Sequence, residues 1–143
     1  PPQDLYEALQ LQADVILCEA DGSKHHPCKA PAAHEPVLLP DSDIVLAVVG
    51  MDALGCPLAQ ACQRPQLAAA LLGCSAEKII DAQMLVALLL SEQGARKNVG
   101  TRGFYIVLNK CDLISAAQQE EMLRLLVSAG IDGRRIWLRE RGE

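Results

Sequence analysis

Residues 104–112, FYIVLNKCD, place an amide, an ammonium and a carboxylate directly after a run of apolar residues. The carboxylate of Asp112 can accept two hydrogen bonds from N1 and the N2 amino group of guanine, and adenine offers no matching pair of donors. Asn109 can hydrogen-bond the purine edge, and the alkyl stem of Lys110 can cover the purine face. This N-K-x-D spacing predicts a guanine pocket. An ordinary polar strand end is the alternative, because four-residue patterns also match by chance.

A second chemically capable group lies in the sequence CEADGSK, where Asp21 precedes Gly22. A carboxylate between a strand and a glycine turn is typical of the acid that holds Mg²⁺ against nucleotide phosphates. Glu19 would share a strand face with Asp21, so both are candidate catalytic acids. Gly22 lets the backbone approach a phosphate closely, and Lys24 and Lys29 could neutralise phosphate charge. The alternative is a glycine turn with solvated charges.

The sequence contains no phosphate loop of the form G-x-x-x-x-G-K-[ST]. The nearest match is GMDALGCP at residues 50–57, where Cys56 and Pro57 replace the lysine and the hydroxyl residue that cradle phosphates. We therefore predict that this segment does not bind phosphate. Such a loop normally precedes the Mg²⁺ carboxylate, so we expect it before Pro1, and the absence of an initiator Met is consistent with a cut terminus.

Other reactive residues suggest weaker alternatives. His25, His26, Cys28 and His34 lie close together and could ligate zinc, but their spacing fits no standard zinc module. Cysteine–histidine nucleophilic catalysis lacks a partner that would orient the histidine. None of the six cysteines forms a C-x-x-C pair, which favours free thiols in a reducing cytoplasm over a disulfide framework.

Composition limits the class of protein. The 143 residues fit one domain, and 50% of them are hydrophobic. A net charge of −5 argues against broad contact with nucleic acid. No apolar segment approaches the roughly 20 residues that a membrane span needs, and no secretory leader is visible.

The elements that must position these residues follow from hydrophobic patterning. Three continuous apolar runs predict strands buried on both faces, at residues 14–22, 43–50 and 104–112. A weaker strand is predicted at residues 135–138. Helical patterns lie at residues 4–12, 65–74, 81–94 and 115–130. The last two have Asp81 as an N-cap with Gly94 as the stop, and a capping box of Ser115 with Gln118. Alternating strands and helices predict a three-layer α/β fold with a mostly parallel sheet.

The polar motifs share one location in this predicted fold. Each follows one of the three strong strands, and ligands of such sheets bind outside the carboxyl ends of the strands. The long loop at residues 21–42 holds four prolines and three histidines, and loops of that length are usually functional or disordered. We therefore expect Asp21 and Asp112 to converge on one rim of the sheet.

Longer strings in the sequence resemble a known family. The stretches ILCEADGSKHHPCKAPAAHEPVLL, VVGMDALGCPL and VLNKCD are similar to the YqeC-type selenium-dependent hydroxylase accessory proteins. The resemblance implies a fold like that of P-loop NTPases, here without the N-terminal strand and the Gly-Lys-Thr phosphate loop. It also points to His34, Glu35 and Asp52 as substrate or loop contacts.

The resemblance implies a function for residues 1–143 as the C-terminal part of a nucleotide-binding domain. We expect an accessory protein that uses Mg²⁺ with GTP or ATP in the maturation of selenium-dependent molybdenum hydroxylases, with the hydroxylase or its cofactor machinery as partner. Hydrolysis would require a phosphate loop supplied upstream, so the chain alone is expected to be inactive. The alternative is a non-catalytic module that delivers a cofactor or docks on a hydroxylase, and apolar surface at the missing strand could drive homodimerisation.

Overall fold

The computed structural model describes residues 3–142. The helices are α1 (Gln3–Gln10), α2 (Leu58–Ala61), α3 (Pro65–Leu72), α4 (Ala82–Leu90) and α5 (Ala116–Ser128). The strands are β1 (Cys28–Lys29), β2 (Ile44–Gly50), β3 (Cys62–Gln63), β4 (Gly103–Asn109) and β5 (Ile136–Leu138). Short 3₁₀ turns follow β2 and β4, and a third precedes β5.

Two parallel sheets organise the chain. The larger has the order β2-β4-β5, and the smaller pairs β1 with β3. The register of β2 on β4 runs from Ile44 opposite Gly103 to Gly50 opposite Asn109. The two strands therefore end side by side, which places the residues after them at one edge. The prediction of parallel sheets flanked by helices in a mixed α/β fold is confirmed.

The core lies on one side of the larger sheet. Ala47 and Val49 of β2 and the alternate residues Phe104, Ile106 and Leu108 of β4 are buried in one cluster with the helices. Helices α4 and α5, which contact each other, contribute fully buried side chains to this cluster. They include Leu85, Met122 and Leu126. The apolar side chains of these helices pack against the buried face of the sheet, and this packing holds the helices and the sheet together.

Local signals set the helix boundaries. The Asp81 side chain accepts a hydrogen bond from the Met84 backbone N–H at 2.8 Å, so this N-cap is confirmed. The capping box of Ser115 and Gln118 is also confirmed. The predicted stop of α4 at Gly94 is wrong, because the helix ends at Leu90 with Ser91 as its C-cap. The residues that follow form turns packed back on the helix, with the Ala95 N–H donating to the Leu88 carbonyl.

The predicted strand at residues 14–22 does not form. Residues 15–22 have no regular secondary structure and belong to no sheet, and Val15 and Leu17 expose 75% and 85% of their surface. A strand needs a neighbour that pairs with its backbone groups, and no described strand pairs with this run. A long-range backbone hydrogen bond runs from the Val37 N–H to the Ala20 carbonyl of this run at 3.3 Å.

The expectation that the strands are buried on both faces is also wrong. Side chains of β2 and β4 alternate between buried and more exposed positions. Helices α2 to α5 pack on one face, so Ile44 and Val48 point away from that core with 53% and 60% of their surface exposed. In this protein, a continuous apolar run therefore indicates a strand with one buried face and one more exposed face.

Candidate functional site

A large cavity lies along the uncovered face of the larger sheet. Its volume is about 1420 Å³, and it is lined by parts of α1, β2, β4 and β5, by most of residues 13–29 and by residues in the segment 37–43. One end is apolar, where Leu46, Tyr105 and Trp137 form part of the lining. The other end lies at the carboxyl ends of β2 and β4 and is polar. We refer to the whole as the carboxyl-end cavity.

Polar residues from three segments meet at this end. Gly50 closes β2, and its backbone N–H donates to the Pro27 carbonyl at 2.7 Å, which ties the loop before β1 to the sheet edge. Asp21 of that loop and Lys29 of β1 line the cavity together with Asn109, the last residue of β4, and Lys110, which follows it. Residues from both sequence motifs thus line one cavity, although the strand predicted to end at Asp21 does not form.

Lys29 holds the first motif in place. Its ammonium donates to the carbonyl of Gly22 at 2.9 Å and lies 2.9 Å from Asp21 Oδ2 and 3.0 Å from Glu35 Oε2. In this structure, Asp21 therefore forms an ion pair with Lys29. Mg²⁺ accepts one carboxylate when phosphates complete its shell, so Asp21 fits such an ion only together with a bound nucleotide that also engages Lys29.

Glu35 is the centre of a charged network that holds the loop. Arg64 donates two hydrogen bonds to its carboxylate at 2.8 and 2.9 Å, and the backbone N–H of Ala32 donates at 3.3 Å. Burial raises the pKa of Glu35, but the hydrogen bonds from Lys29 and Arg64 outweigh it, and the pKa falls to about 2. Glu35 therefore joins Lys29 of β1 to Arg64 before α3, whereas His34 beside it is exposed.

Lys110 links the ends of β2 and β4. Its ammonium lies 2.7 Å from Asp52 Oδ2. The Lys110 backbone is left-handed, with φ of 61°, and its N–H donates to Asn109 Oδ1 at 2.9 Å. The other Asp52 oxygen, Oδ1, is buried without a hydrogen-bond partner among the described residues, so Asp52 keeps an unused acceptor next to Lys110.

Asp112 does not line the carboxyl-end cavity. Its carboxylate accepts hydrogen bonds from the backbone N–H of Arg141 at 3.1 Å and from the Arg141 Nε at 2.7 Å. The hydrogen bond from the Arg141 side chain lowers the pKa of Asp112. The structure therefore groups Asn109 and Lys110 with Asp21, and turns Asp112 toward the C-terminal residues.

The remaining candidate residues differ in whether they line the cavity. Glu19 lines the carboxyl-end cavity, whereas Gly22 and Lys24 are exposed and do not. His26 lies 3.0 Å from the Ser23 carbonyl through its Nδ1. Within residues 3–142, no group of three or more His, Cys, Asp or Glu side chains is arranged to hold a metal ion. All six cysteines are free thiols.

Arg64 is the site residue that sequence reasoning missed. It lies 29 positions from Glu35 in the chain and outside every motif. Its backbone is left-handed at φ 62°, directly before the Pro65 that begins α3. A non-glycine residue in that conformation is unusual, but the sequence around it does not mark the position.

Gly50 should be intolerant of substitution, since an added Cβ would collide with Asp52 Oδ1 and lie 2.9 Å from the Pro27 Cβ. We expect Gly50→Ala to lower the free energy of unfolding by about 1–3 kcal/mol, measured by urea denaturation. Gly22→Ala is the matched control, because its nearest contact is an ordinary 3.4 Å to Glu19. Equal stability of the two variants would contradict the close packing of the loop on β2.

Comparison with known proteins relates the chain to one family. Residues 1–66 match the family model of the YqeC protein. The first 66 residues are therefore similar to the YqeC family. Over 130 residues, the chain is 35% identical to "Uncharacterized protein YqeC" of Escherichia coli (strain K12). That alignment covers 89% of the chain and 50% of the relative, so the chain spans about half the length of the curated relative it matches. No solved structure matches the chain.

The match to the YqeC family model includes only some of the residues discussed for the site. The matched residues include Asp21, Lys29, Glu35 and Asp52. Asn109 and Lys110 lie beyond the match to the YqeC family model. The described helices include none that is long and apolar enough to cross a membrane.

Proposed function

We propose that this YqeC-related chain forms the base-binding and metal-binding part of a GTP- or ATP-dependent accessory protein. In this proposal it acts in the cytoplasm in the maturation of selenium-dependent molybdenum hydroxylases, as the family resemblance implies. The observation that carries the proposal is the meeting of Asp21, Lys29, Asn109 and Lys110 on one cavity at the carboxyl ends of parallel strands.

Each residue has a role that its surroundings support. Lys29 and Lys110 carry ammonium groups that now face carboxylates of Asp21 and Asp52. Phosphate oxygens can replace those carboxylates as partners, because both accept strong charge-assisted hydrogen bonds. Asp21, once released by Lys29, would hold Mg²⁺ bound to the phosphates. Glu35 keeps Arg64 and the loop in position throughout.

Base recognition would involve Asn109 and Asp112. Asn109 lines the cavity, whereas Asp112 would have to leave Arg141 to accept hydrogen bonds from guanine. Since Asp112 is partly exposed, its pair with Arg141 contributes little stability and can open at low cost. Hydrolysis would further need a phosphate loop from the remainder of the protein, so binding and turnover are separable.

Loss of one ammonium should weaken nucleotide binding. We expect Lys110→Met in this chain to raise the Kd for Mg²⁺–GTP about tenfold or more, because it removes a charge from the cavity. The measurement is isothermal titration calorimetry with GTP and ATP. Lys78→Met is the matched control, since Lys78 is exposed and outside the cavity lining.

A second candidate function is a non-catalytic module that delivers a cofactor or docks on a hydroxylase. The apolar residues left uncovered on the larger sheet favour it. Absence of GTP and ATP binding to the full-length relative, together with binding to a hydroxylase, would support this alternative over the first.

A further inference from the structure

Two cysteines lie directly opposite each other in the smaller sheet. β1 and β3 are parallel, and Cys28 is the register partner of Cys62. Register partners project their side chains from the same face of a sheet, and neighbouring strands lie about 4.7–4.9 Å apart. A disulfide joins Cα atoms that are roughly 4.4–6.8 Å apart. The backbone therefore holds these two thiols at a separation from which a disulfide can form.

The surroundings of the two thiols make them chemically different. Both residues are buried, and their thiols donate weak hydrogen bonds to the backbone carbonyls of Ala61 and Gln63 at 3.5 and 3.4 Å. A hydrogen bond from Cys28 lowers the pKa of Cys62, and this hydrogen bond together with burial raises the pKa of Cys28. Because the thiolate is the reactive form of cysteine, Cys62 is the nucleophile of the pair and Cys28 is the proton donor.

The pair is reached from the carboxyl-end cavity. Cys28 lines that cavity, next to Lys29, so a small molecule in the cavity meets the thiol pair without separation of the two strands. Among the strand partners of residues 3–142, no other pair consists of two cysteines. Cys111 is also buried, but it lies outside the strands and the cavity lining, and its thiol donates to the Leu108 carbonyl at 3.1 Å.

We propose that Cys28 and Cys62 form a dithiol site that reduces hydrogen peroxide and is itself oxidised to a reversible disulfide. The Cys62 thiolate attacks one peroxide oxygen, so an S–O bond forms as the O–O bond breaks, and the departing hydroxide takes up a proton to become water. The Cys28 thiol then attacks the sulfenic sulfur, and the S–O bond breaks with release of a second water. The sulfurs lose two electrons to the peroxide, and a small thiol restores them by exchange.

The disulfide would lie beneath the charged network of Glu35. Cys28 directly precedes Lys29, and Cys62 lies two residues before Arg64. Both of these cations donate hydrogen bonds to the Glu35 carboxylate. Oxidation would therefore fix the spacing of the strands that carry the two cations. This inference does not depend on nucleotide binding.

Mass spectrometry of the peroxide-treated chain tests the proposal. The folded chain would be treated with hydrogen peroxide, its remaining thiols alkylated after unfolding, and its peptides compared before and after reduction with dithiothreitol. We expect a linked peptide pair containing Cys28 and Cys62, a mass lower by about 2 Da, and recovery of both thiols on reduction. Cys111 is the matched control and should be oxidised at least about tenfold less, because it has no cysteine as a partner.

Unlinked Cys28 and Cys62 after this treatment would overturn the proposal, as would disulfides formed only by other cysteines or equal oxidation of Cys111. Two variants then test the order of the steps. In Cys28→Ser the sulfenic acid of Cys62 lacks a second thiol, so dimedone should trap it, whereas Cys62→Ser should give at least about tenfold less adduct at Cys28. An equal adduct at Cys28 would contradict the assignment of Cys62 as nucleophile. The measurement on the parent chain stands even if a variant does not fold.

Discussion

Replacing Glu35 by glutamine is expected to lower the free energy of unfolding by about 1–3 kcal/mol. The Glu35 side chain is only 15% exposed and faces Lys29 and Arg64. A neutral amide would leave the partly buried Arg64 without a counter-charge and Lys29 with Asp21 alone, and an unsatisfied buried partner costs about that much. Urea denaturation of both proteins measures the difference.

Glu92→Gln is the matched control for this substitution. Glu92 is 78% exposed and lies 3.8 Å from Arg96, so its loss should change stability by less than about 0.5 kcal/mol. If Glu35→Gln were as mild as Glu92→Gln, the loop would not depend on the network, and the placement of Asp21 and Lys29 would need another cause.

The same carboxylate predicts a pH dependence. The pKa of Glu35 is lowered from 4.5 to about 2 in the folded protein. A group with a lowered folded pKa contributes stability above its unfolded pKa, and that contribution is lost as the pH falls through the folded value. The free energy of unfolding should therefore decrease between about pH 4.5 and pH 2 in the parent protein, and less steeply in Glu35→Gln. The same pH dependence of the free energy of unfolding in both proteins would contradict the lowered pKa of Glu35.

The second large effect is expected for Gly94→Ala, in the turn after α4. A Cβ at Gly94 would collide with the Leu88 carbonyl oxygen and lie 3.1 Å from the Leu88 carbonyl carbon. That oxygen accepts the hydrogen bond from the Ala95 N–H that folds the turn back on α4. Because backbone cannot give way as a flexible side chain does, we expect a loss of about 3 kcal/mol.

Gly133→Ala is the control for this effect. Nothing lies within 4 Å of a Cβ at Gly133, and its backbone is not left-handed. Thermal unfolding should therefore show a markedly lower Tm for Gly94→Ala and nearly no change for Gly133→Ala. Similar Tm values for both variants would show that the turn after α4 relaxes freely, contrary to its close packing on Leu88.

Local patterns in the sequence were sufficient to predict much of the fold. The runs at 43–50 and 104–112 became β2 and β4, and Asp81 and Ser115 became N-caps. In each case neighbouring residues determine the outcome, through apolar side chains on one face or a side chain that bonds to the next turn. The run at 14–22 has the same local pattern, but a strand also depends on a neighbour elsewhere in the chain.

In the site too, local sequence predicts some features, whereas others depend on residues that are distant in the chain. That Asp21 and Asn109 lie near one cavity followed from their position at the ends of apolar runs. The partners that hold the motif residues could not be predicted, because they are distant in the sequence. Arg64 reaches Glu35, Lys110 reaches Asp52, and Asp112 pairs with Arg141. These pairs depend on how the loops fold over the sheet edge, which short motifs do not encode.

The central claim is that the carboxyl-end cavity binds a nucleotide, and photo-crosslinking tests it most directly. Full-length E. coli YqeC would be irradiated with an azido-guanine nucleotide and Mg²⁺, and the labelled peptides identified by mass spectrometry. We predict label on the peptides equivalent to residues 104–112 and 21–29, lost on addition of excess GTP or ATP. Label confined to peptides away from this cavity, or label that neither nucleotide competes, would contradict the account.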